Sequence, residues 1–257
     1  MKDISIIIVS WNVKDKLHEC LTSIEKASVN LNVEVFVVDN DSKDGSADMV
    51  ESEFPRMNLI RNTYNAGCAR AVNRALKQAT GNLILWLNPD MRLFDDTLES
   101  LIRVASENPQ AGVIGARLQN EEGEIVPHIR NFPTLKDQFA IASKWAKIFP
   151  SALNTYLQKD FDYSKPAHVD SIRGSFFCIP KTIIEKVGTL DEQFFIWFEE
   201  VDYCKRVVNA GYKVLYHPRI RAIDYVGQSF AQVPTTKKQK MFLASMRKYL
   251  KKHVWQK

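Results

Sequence analysis

The sequence predicts an α/β fold with a Rossmann-like, mostly parallel central sheet and helices on both of its faces. Three observations predict it. Strand and helix patterns alternate from residue 4 to residue 115, the strands are apolar at nearly every position, and three of them end in short runs rich in Asp and Asn. Strands that are apolar at successive positions are buried on both sides, as happens when helical crossovers cover a parallel sheet. In such sheets ligands bind beyond the carboxyl ends of the strands, so those polar ends are also where a site belongs.

Residues 4–9 are a β-branched run and read as the first strand; residues 13–27 carry Leu17, Leu21 and Ile24 at helical spacing. Residues 33–38 form the second strand, followed by a polar turn and a helix over 46–54. A shorter third strand covers 58–61. Asn65 is placed to cap a helix over 66–79 that Gly81 closes, and 83–87 is the fourth strand. A helix over 96–106 leads to Gly112-Val113-Ile114-Gly115.

The strand ends are Ser10-Trp11-Asn12, Asp39-Asn40-Asp41-Ser42 and Asn88-Pro89-Asp90. Turn chemistry alone accounts for each. Their coincidence at three ends of one sheet points to a nucleotide and metal site. Neither G-x-G-x-x-G nor G-x-x-x-x-G-K-[ST] occurs, which disfavours a dinucleotide dehydrogenase or a P-loop NTPase. Asp90, with Asn88 two residues earlier, offers oxygen ligands to a divalent cation that in turn holds a diphosphate, and oxygen ligands favour magnesium or manganese.

In the second half, five apolar residues, Phe194-Phe195-Ile196-Trp197-Phe198, run into Glu199-Glu200-Val201-Asp202. Acids in a first helical turn complement the helix dipole without any chemistry. A carboxylate held there against apolar walls also gains proton affinity and can act as a base. Both readings stand on these residues alone.

With 257 residues, 45% of them apolar, the chain is long enough for one large core. No apolar run is long enough to cross a bilayer, and the start lacks the layout of a secretory signal, so a soluble cytoplasmic protein is expected. Cysteines 20, 68, 178 and 204 form no C-x-x-C pair and do not cluster with the five histidines, which suggests neither zinc nor disulfides. The net charge of +5 is uneven: residues 237–257 hold eight Lys or Arg and no acid, leaving 27 basic against 30 acidic residues elsewhere. Phe242, Met246, Tyr249, Leu250 and Val254 recur there at helical spacing. Such a basic amphipathic helix docks its apolar stripe on the core, lies on an anionic membrane or meets a nucleic acid.

Together these segments resemble the inverting glycosyltransferases of family 2, with the GT-A fold, over most of residues 4–229. Residues 5–12 look like that family's first strand, Val37-Val38-Asp39-Asn40-Asp41-Ser42-Lys43-Asp44-Gly45-Ser46 like its V-D-N-x-S-x-D-G-S motif, and Asn65-Ala66-Gly67 with Asn73 like its N-x-G helix. Asn88-Pro89-Asp90 is similar to the variant D-x-D motif of the rhamnosyltransferase-like branch, and Phe198-Glu199-Glu200-Val201-Asp202-Tyr203-Cys204 to that branch's F-E-D-V-D-L-C. Gly174-Ser175-Phe176-Phe177 and Asp191-Glu192-Gln193-Phe194-Phe195 are placed as in that branch.

The resemblance implies that Asp39 binds the nucleoside with Ser10, Asn12 and Asn40 beside it, and that Asn65, Gly67, Asn73 and Asn88 complete the donor site. Asp90 would hold the Mg2+ or Mn2+, joined by Asp224, which stands where the family usually has His. Glu200 stands where the family has its Asp general base and is one methylene longer. Glu199 and Asp202 would position the acceptor or the helix. Residues 121–166, with His128, Arg130, Phe132 and Trp145, would shape the acceptor side, Arg130 and His128 meeting an acceptor phosphate or standing in solvent. The implied donor is a nucleoside diphosphate sugar, dTDP-rhamnose first. The implied acceptor is a glycan or lipid-linked hydroxyl in cell-surface polysaccharide synthesis, with no nucleic-acid partner. Residues 1–230 would form the GT-A domain, 1–116 the nucleotide-sugar half and 117–230 the acceptor and base half, and 231–257 the basic helix, in peripheral contact with the inner membrane face.

Two rivals remain. A nucleotidyltransferase should carry a Gly-rich, Lys- or Arg-containing loop after its first strand, and Ser10-Trp11-Asn12-Val13-Lys14 is not one. A catalytically impaired nucleotide-sugar-binding or scaffold protein of the same fold would be compatible with Glu at 200 and Asp at 224.

Overall fold

In the computed structural model, which describes residues 2–142, 150–227 and 233–255, four parallel strands open the chain. They are β1 (Ile4–Ser10), β2 (Val33–Asp39), β3 (Asn58–Arg61) and β4 (Leu83–Leu87). After them come β5 (Met91–Leu93), β6 (Ala111–Gln119), β7 (Ile129–Arg130), β8 (Ala167–Val169), β9 (Ser171–Ile172), β10 (Phe176–Pro180) and β11 (Lys213–Asp224). Across the main sheet the order is β3-β2-β1-β4-β10-β6-β11-β5, with β8 beside the start of β11. β10 runs antiparallel between β4 and β6, β11 runs parallel to β6, and β5 lies antiparallel on the outer edge of β11. β7 and β9 form a separate two-stranded ribbon. Trp145 lies outside the described residues.

The helices are α1 (Lys14–Ala27), α2 (Ser46–Glu53), α3 (Cys68–Leu76), α4 (Thr97–Glu107), α5 (Leu135–Ala142), α6 (Asn154–Leu157), α7 (Lys181–Val187), α8 (Glu199–Asn209) and α9 (Thr235–His253). They cover the sheet on both faces. Leu17, Leu21 and Ile24 of α1 and Leu98, Leu101 and Val104 of α4 pack on one side, with Ile4, Ile6 and Ile8 of β1. On the other, Ala69, Val72 and Ala75 of α3 and Tyr203, Cys204 and Val207 of α8 pack with Ile7, Trp86 and Phe177. Alternation along β1 thus sends successive isoleucines into two different cores, which is why the strand is apolar throughout.

The helix expected over 66–79 is shorter and starts later. Asn65 does not cap it; the Asn65 Oδ1 accepts the N–H of Gly67 in a turn one step earlier (3.0 Å). Gly67 has φ 81, and a Cβ there would lie 2.5 Å from the Phe195 carbonyl oxygen. The chain coils only past that contact, where the Cys68 N–H donates to the same oxygen (2.7 Å). Gly81 does not close the helix either; its N–H donates to Ser5 Oγ at 2.8 Å.

The basic C-terminal helix docks. Met246, Tyr249 and Leu250 of α9 are buried against Phe194, Phe198 and Val201, with Phe242 and Val254 alongside. Polar anchors surround this contact: Ser245 Oγ donates to the Ile196 carbonyl (2.7 Å), and Lys252 Nζ reaches Asp191 (2.6 Å) and Asp202 (2.7 Å). The apolar stripe is therefore used inside the protein. Among the described residues no helix is long and apolar enough to cross a membrane.

Candidate active site

Three adjoining chambers run from the carboxyl ends of the parallel strands to the β7–β9 ribbon. The first, about 110 Å³, is walled by Val9, Trp11, Asn40, Asn65, Gly67 and Phe195 among others. A central one of about 340 Å³ shares Cys68, Asn88 and Ile196 with it and adds Asp90, Arg173, Glu199, Glu200 and Asp224. The third, about 140 Å³, shares Arg173, Trp197 and Glu200 with the centre and reaches His128, Arg130 and Tyr156.

Strand pairing builds the first end of this row. The register sets Ser10 opposite Asp39 where β1 and β2 end. Asp39 Oδ1 accepts the Ser42 N–H (2.9 Å), while Asp39 Oδ2 and Ser10 Oγ are buried without a partner among the described residues. Buried polar atoms left unpaired are costly, so these two oxygens mark a place for a ligand's donors and acceptors. Asn40 ties this corner together: its Nδ2 donates to the Gly67 carbonyl (3.3 Å) and its Oδ1 accepts from Asn62 (2.7 Å). Asn12 joins the loop as well, its Oδ1 accepting the Lys43 N–H at 2.6 Å. Asn73 is buried within α3, where its amide brackets the backbone of Leu190 (2.8 and 3.1 Å), and like Ser10, Asn12 and Asp39 it is not in the lining of the chambers.

Asp90 and Asp224 are far apart in sequence, and the antiparallel pairing of β5 with β11 brings them together. Met91 stands opposite Asp224, and the Tyr225 N–H donates to the Asp90 carbonyl (3.2 Å). Both carboxylates are buried and face the central chamber with Asn88. Asp224 is engaged already: Arg173 Nη2 donates to Oδ2 and the Val226 N–H to Oδ1 (2.8 Å). Among the described residues no group of three or more His, Cys, Asp or Glu gathers to hold a metal on protein ligands alone. The donor set suits a hard cation held by one or two carboxylates and completed by substrate phosphates. Asp90 and Asn88 fit that role, and Asp224 reaches it only if Arg173 turns aside.

Helix α8 is entered through two residues in left-handed conformation, Trp197 (φ 61) and Phe198 (φ 71). Each such residue costs about 1–3 kcal/mol and persists only where its surroundings impose it. Here the Phe198 ring is clamped by Phe242 and Tyr249 of α9, at centroid distances of 5.3 and 5.5 Å. The kink sets the first turn of α8 beneath the chambers. Glu199 Oε2 and Glu200 Oε2 are both buried without partners among the described residues. Burial pushes Glu200 up to about 7, against the opposing pull of nearby backbone amides and of the Arg173 charge. Burial, and then the charge of Glu200, push Glu199 well above the usual carboxylate range, while the Cys68 thiol donates to it. Of the two carboxylates, both raised by burial, Glu200 lies near neutrality.

Asp202, expected beside the acceptor or in service of the helix, serves the helix. Arg206 Nε (2.9 Å), Lys252 Nζ (2.7 Å) and His253 Nε2 (2.7 Å) surround it, and it lines none of the chambers. Burial alone would raise its proton affinity, but hydrogen bonds from His253 and Lys252 and the Arg206 charge hold it below the usual range.

His128 cannot meet a phosphate as a cation. Burial drives it down to about 4, and it is neutral. Its Nδ1 lies 2.9 Å from the Val126 carbonyl, which can only accept. Arg130 does line the third chamber, with Nη1 on the Ile129 carbonyl (2.7 Å) and Nη2 on that of Pro127 (3.3 Å).

Sequence reasoning missed Arg173, Tyr156, Trp197, Cys68 and Lys238, all of which line chambers. Arg173 had a signal: it directly precedes Gly174-Ser175. A Cβ on Gly174 would lie 2.6 Å from the Trp86 ring, so the backbone closes on that ring and leaves Arg173 at the junction of two chambers.

Comparison with known proteins gives this geometry a context. The family model for glycosyl transferase family 2 matches residues 5–167. A Mycobacterium tuberculosis N-acetylglucosaminyl-diphospho-decaprenol L-rhamnosyltransferase is 24% identical over 244 residues, covering 90% of this chain and 78% of the relative. The Escherichia coli rhamnosyltransferase WbbL is 28% identical over 60% of this chain and 56% of its own length. Among solved structures, a Pyrobaculum calidifontis mannosyltransferase in complex with GDP-Man and Mn2+ superposes with TM-score 0.64 at 16% identity, over 98% of this chain and 66% of that one. The fold is GT-A.

Proposed function

The chain belongs to glycosyl transferase family 2, in its rhamnosyltransferase-like branch, and from that premise we propose that it transfers a sugar, with inversion, from a nucleoside diphosphate to an acceptor hydroxyl, Glu200 being the base. One observation carries this reading: a carboxylate with proton affinity near neutrality and an unpartnered oxygen, placed on the wall between the central and third chambers. A general base works best when its pKa lies near the working pH.

The nucleoside occupies the first chamber, lined by Trp11 and Asn40, which directly follow Ser10 and Asp39 with their unpartnered oxygens. Its diphosphate and sugar extend into the centre. Asp90 and Asn88 would hold Mg2+ or Mn2+ there, and the ion, when bound, neutralises charge on the departing diphosphate. Lys238 and Arg173 line the same chamber and add fixed positive charge. An acceptor in the third chamber presents its hydroxyl to Glu200, which takes the proton as the oxygen bonds to the anomeric carbon. The bond from that carbon to the diphosphate breaks, and its electron pair leaves with the phosphate. Attack from the face opposite the leaving group inverts the centre.

Similarity to two rhamnosyltransferases supports dTDP-rhamnose as donor, and the M. tuberculosis relative supports a lipid-linked acceptor in envelope glycan synthesis. Work at an anionic membrane face rests on charge alone, since the outer face of α9 exposes Lys237, Lys240, Arg247 and Lys251. The test is release of nucleoside diphosphate from dTDP-rhamnose with Mn2+ and acceptor. Glu200→Gln should slow release at least 100-fold, within the range typical of a lost general base. Equal release by both proteins removes Glu200 from the role. Nucleotide binding without turnover by the native protein selects the non-catalytic binding protein instead.

A further inference from the structure

An ion pair stands in the central chamber where carboxylates would gather around a cation. Arg173 Nη2 donates to Asp224 Oδ2, which joins a side chain 35% exposed to one only 2% exposed. Asp224 Oδ1 accepts the Val226 N–H at 2.8 Å, so both of its oxygens are engaged. Arg173 is otherwise held by one side-chain contact, its Nε donating to Ser175 Oγ (2.9 Å), and it lines the central and third chambers alike. Lys238 is the other cation of the central wall, facing Asp90, Glu199, Glu200 and Asp224.

Charge decides what can move. Turning Arg173 away by itself leaves Asp224 buried with its charge uncompensated, which is strongly unfavourable. A divalent cation arriving alone would compensate Asp224 but leave the guanidinium beside a second positive charge, and the two repel. A diphosphate answers both difficulties. Its oxygens match the planar fork of Arg173, and its negative charge offsets the cation.

We infer that Arg173 is a positioning residue that exchanges Asp224 for the donor's diphosphate, so that Asp224 becomes a metal ligand only when the nucleotide is present. The inference rests on the transferase reading above and adds a linkage to it: cation and nucleoside diphosphate bind with positive coupling through Arg173. Such coupling is reciprocal, each ligand tightening the other by the same factor.

The test measures Mn2+ affinity by electron paramagnetic resonance of the free ion, for the protein alone and with saturating dTDP or UDP. Chelation of Mn2+ by the nucleotide itself is common to all variants, so differences between them report the protein. Without nucleotide, Arg173→Gln should bind Mn2+ at least tenfold more tightly than the native protein, because Asp224 then has no guanidinium to give up. Adding Asp224→Asn to Arg173→Gln should cancel that gain. With nucleotide, the tightening seen in the native protein should shrink at least threefold in Arg173→Gln, and Arg173→Lys should fall between. Equal Mn2+ affinity of the native protein and Arg173→Gln without nucleotide, or a gain that survives Asp224→Asn, overturns the inference. If Arg173→Gln does not fold, Asp224→Asn alone decides: it should leave Mn2+ affinity within threefold of native without nucleotide and weaken it at least tenfold with dTDP or UDP, and an equal loss in both conditions overturns the inference. A native protein that binds nucleotide and Mn2+ independently refutes only this inference; one that binds no nucleoside diphosphate takes the transferase reading down with it.

Discussion

Glu200 owes its chemistry to what surrounds it. A carboxylate at the start of a helix is ordinarily pulled toward ionisation by the backbone amides, and here burial outweighs them and sets it near 7. A base must be ionised to accept a proton. The transfer rate should therefore rise about tenfold per pH unit below 7 and level off above it, as a pH profile of kcat will check. Glu200→Asp restores the family's usual residue in a pocket fitted to the longer side chain, and withdraws the oxygen by about one methylene. A drop in kcat of roughly 10- to 100-fold with little change in donor KM is expected. Glu199 gives a different signature. Folded Glu199 and Glu200 hold protons that the unfolded chain gives up near pH 4.5, so the native state binds more protons between there and neutrality. The sign is then fixed: this pair's contribution to stability falls as pH rises from about 5 to 8. Glu199→Gln, already neutral, should flatten that fall in melting temperature, and an unchanged slope rules out Glu199 as its source. The acidic run and its gain of proton affinity against apolar walls were legible in the sequence; the opposing pull of the Arg173 charge and the Cys68 thiol was not, because both come from distant segments.

Among the elements, α9 and α8 act as one piece. Asp202 lies one turn into α8, fully buried, and takes Arg206 from its own helix and Lys252 and His253 from α9. Asp202→Ala leaves those cations without their shared partner and should destabilise the protein by about 3 kcal/mol in denaturant unfolding. Asp202→Asn should lose less, because the amide oxygen still accepts. The helical pattern and basic character of residues 237–257 were readable, yet nothing in that stretch says which surface its apolar stripe meets. Phe194, Phe198 and Val201 supply that surface from a segment some forty residues earlier. The exposed cations remain available for charge-driven contact. Replacing Lys237, Lys240, Arg247 and Lys251 with Ala should weaken binding to vesicles rich in anionic lipid by about 1 kcal/mol per residue near the surface, without lowering the melting temperature. Vesicle binding that persists after all four changes removes the membrane role.

For the whole molecule, the sheet decides what meets what. β1 to β3 were legible because each strand is followed by its helix, and β4 because its apolar run follows one; local pattern reports such units. β10 was not placed, although its apolar run is visible, because sequence pattern does not say that a later strand inserts antiparallel between β4 and β6. That insertion, with β11 and β5 beyond it, creates the central chamber and sets Asp90 beside Asp224. Donor binding should then report on the assembled sheet. A ligand that binds only the folded state stabilises it by RT ln(1 + [L]/Kd), about 2.7 kcal/mol at a hundredfold excess over Kd, or roughly 5–10 °C for a chain of this size. Nucleoside diphosphate with Mn2+ should produce a shift of that order, and a chelator should remove most of it. Asp90→Asn should abolish the part that depends on metal while Ser10 and Asp39 preserve a smaller, metal-independent shift, because the nucleoside and diphosphate ends lie in different chambers. A full metal-dependent shift in Asp90→Asn would move the cation away from the β4–β5 turn and transfer the ligand role to Asp224, released from Arg173.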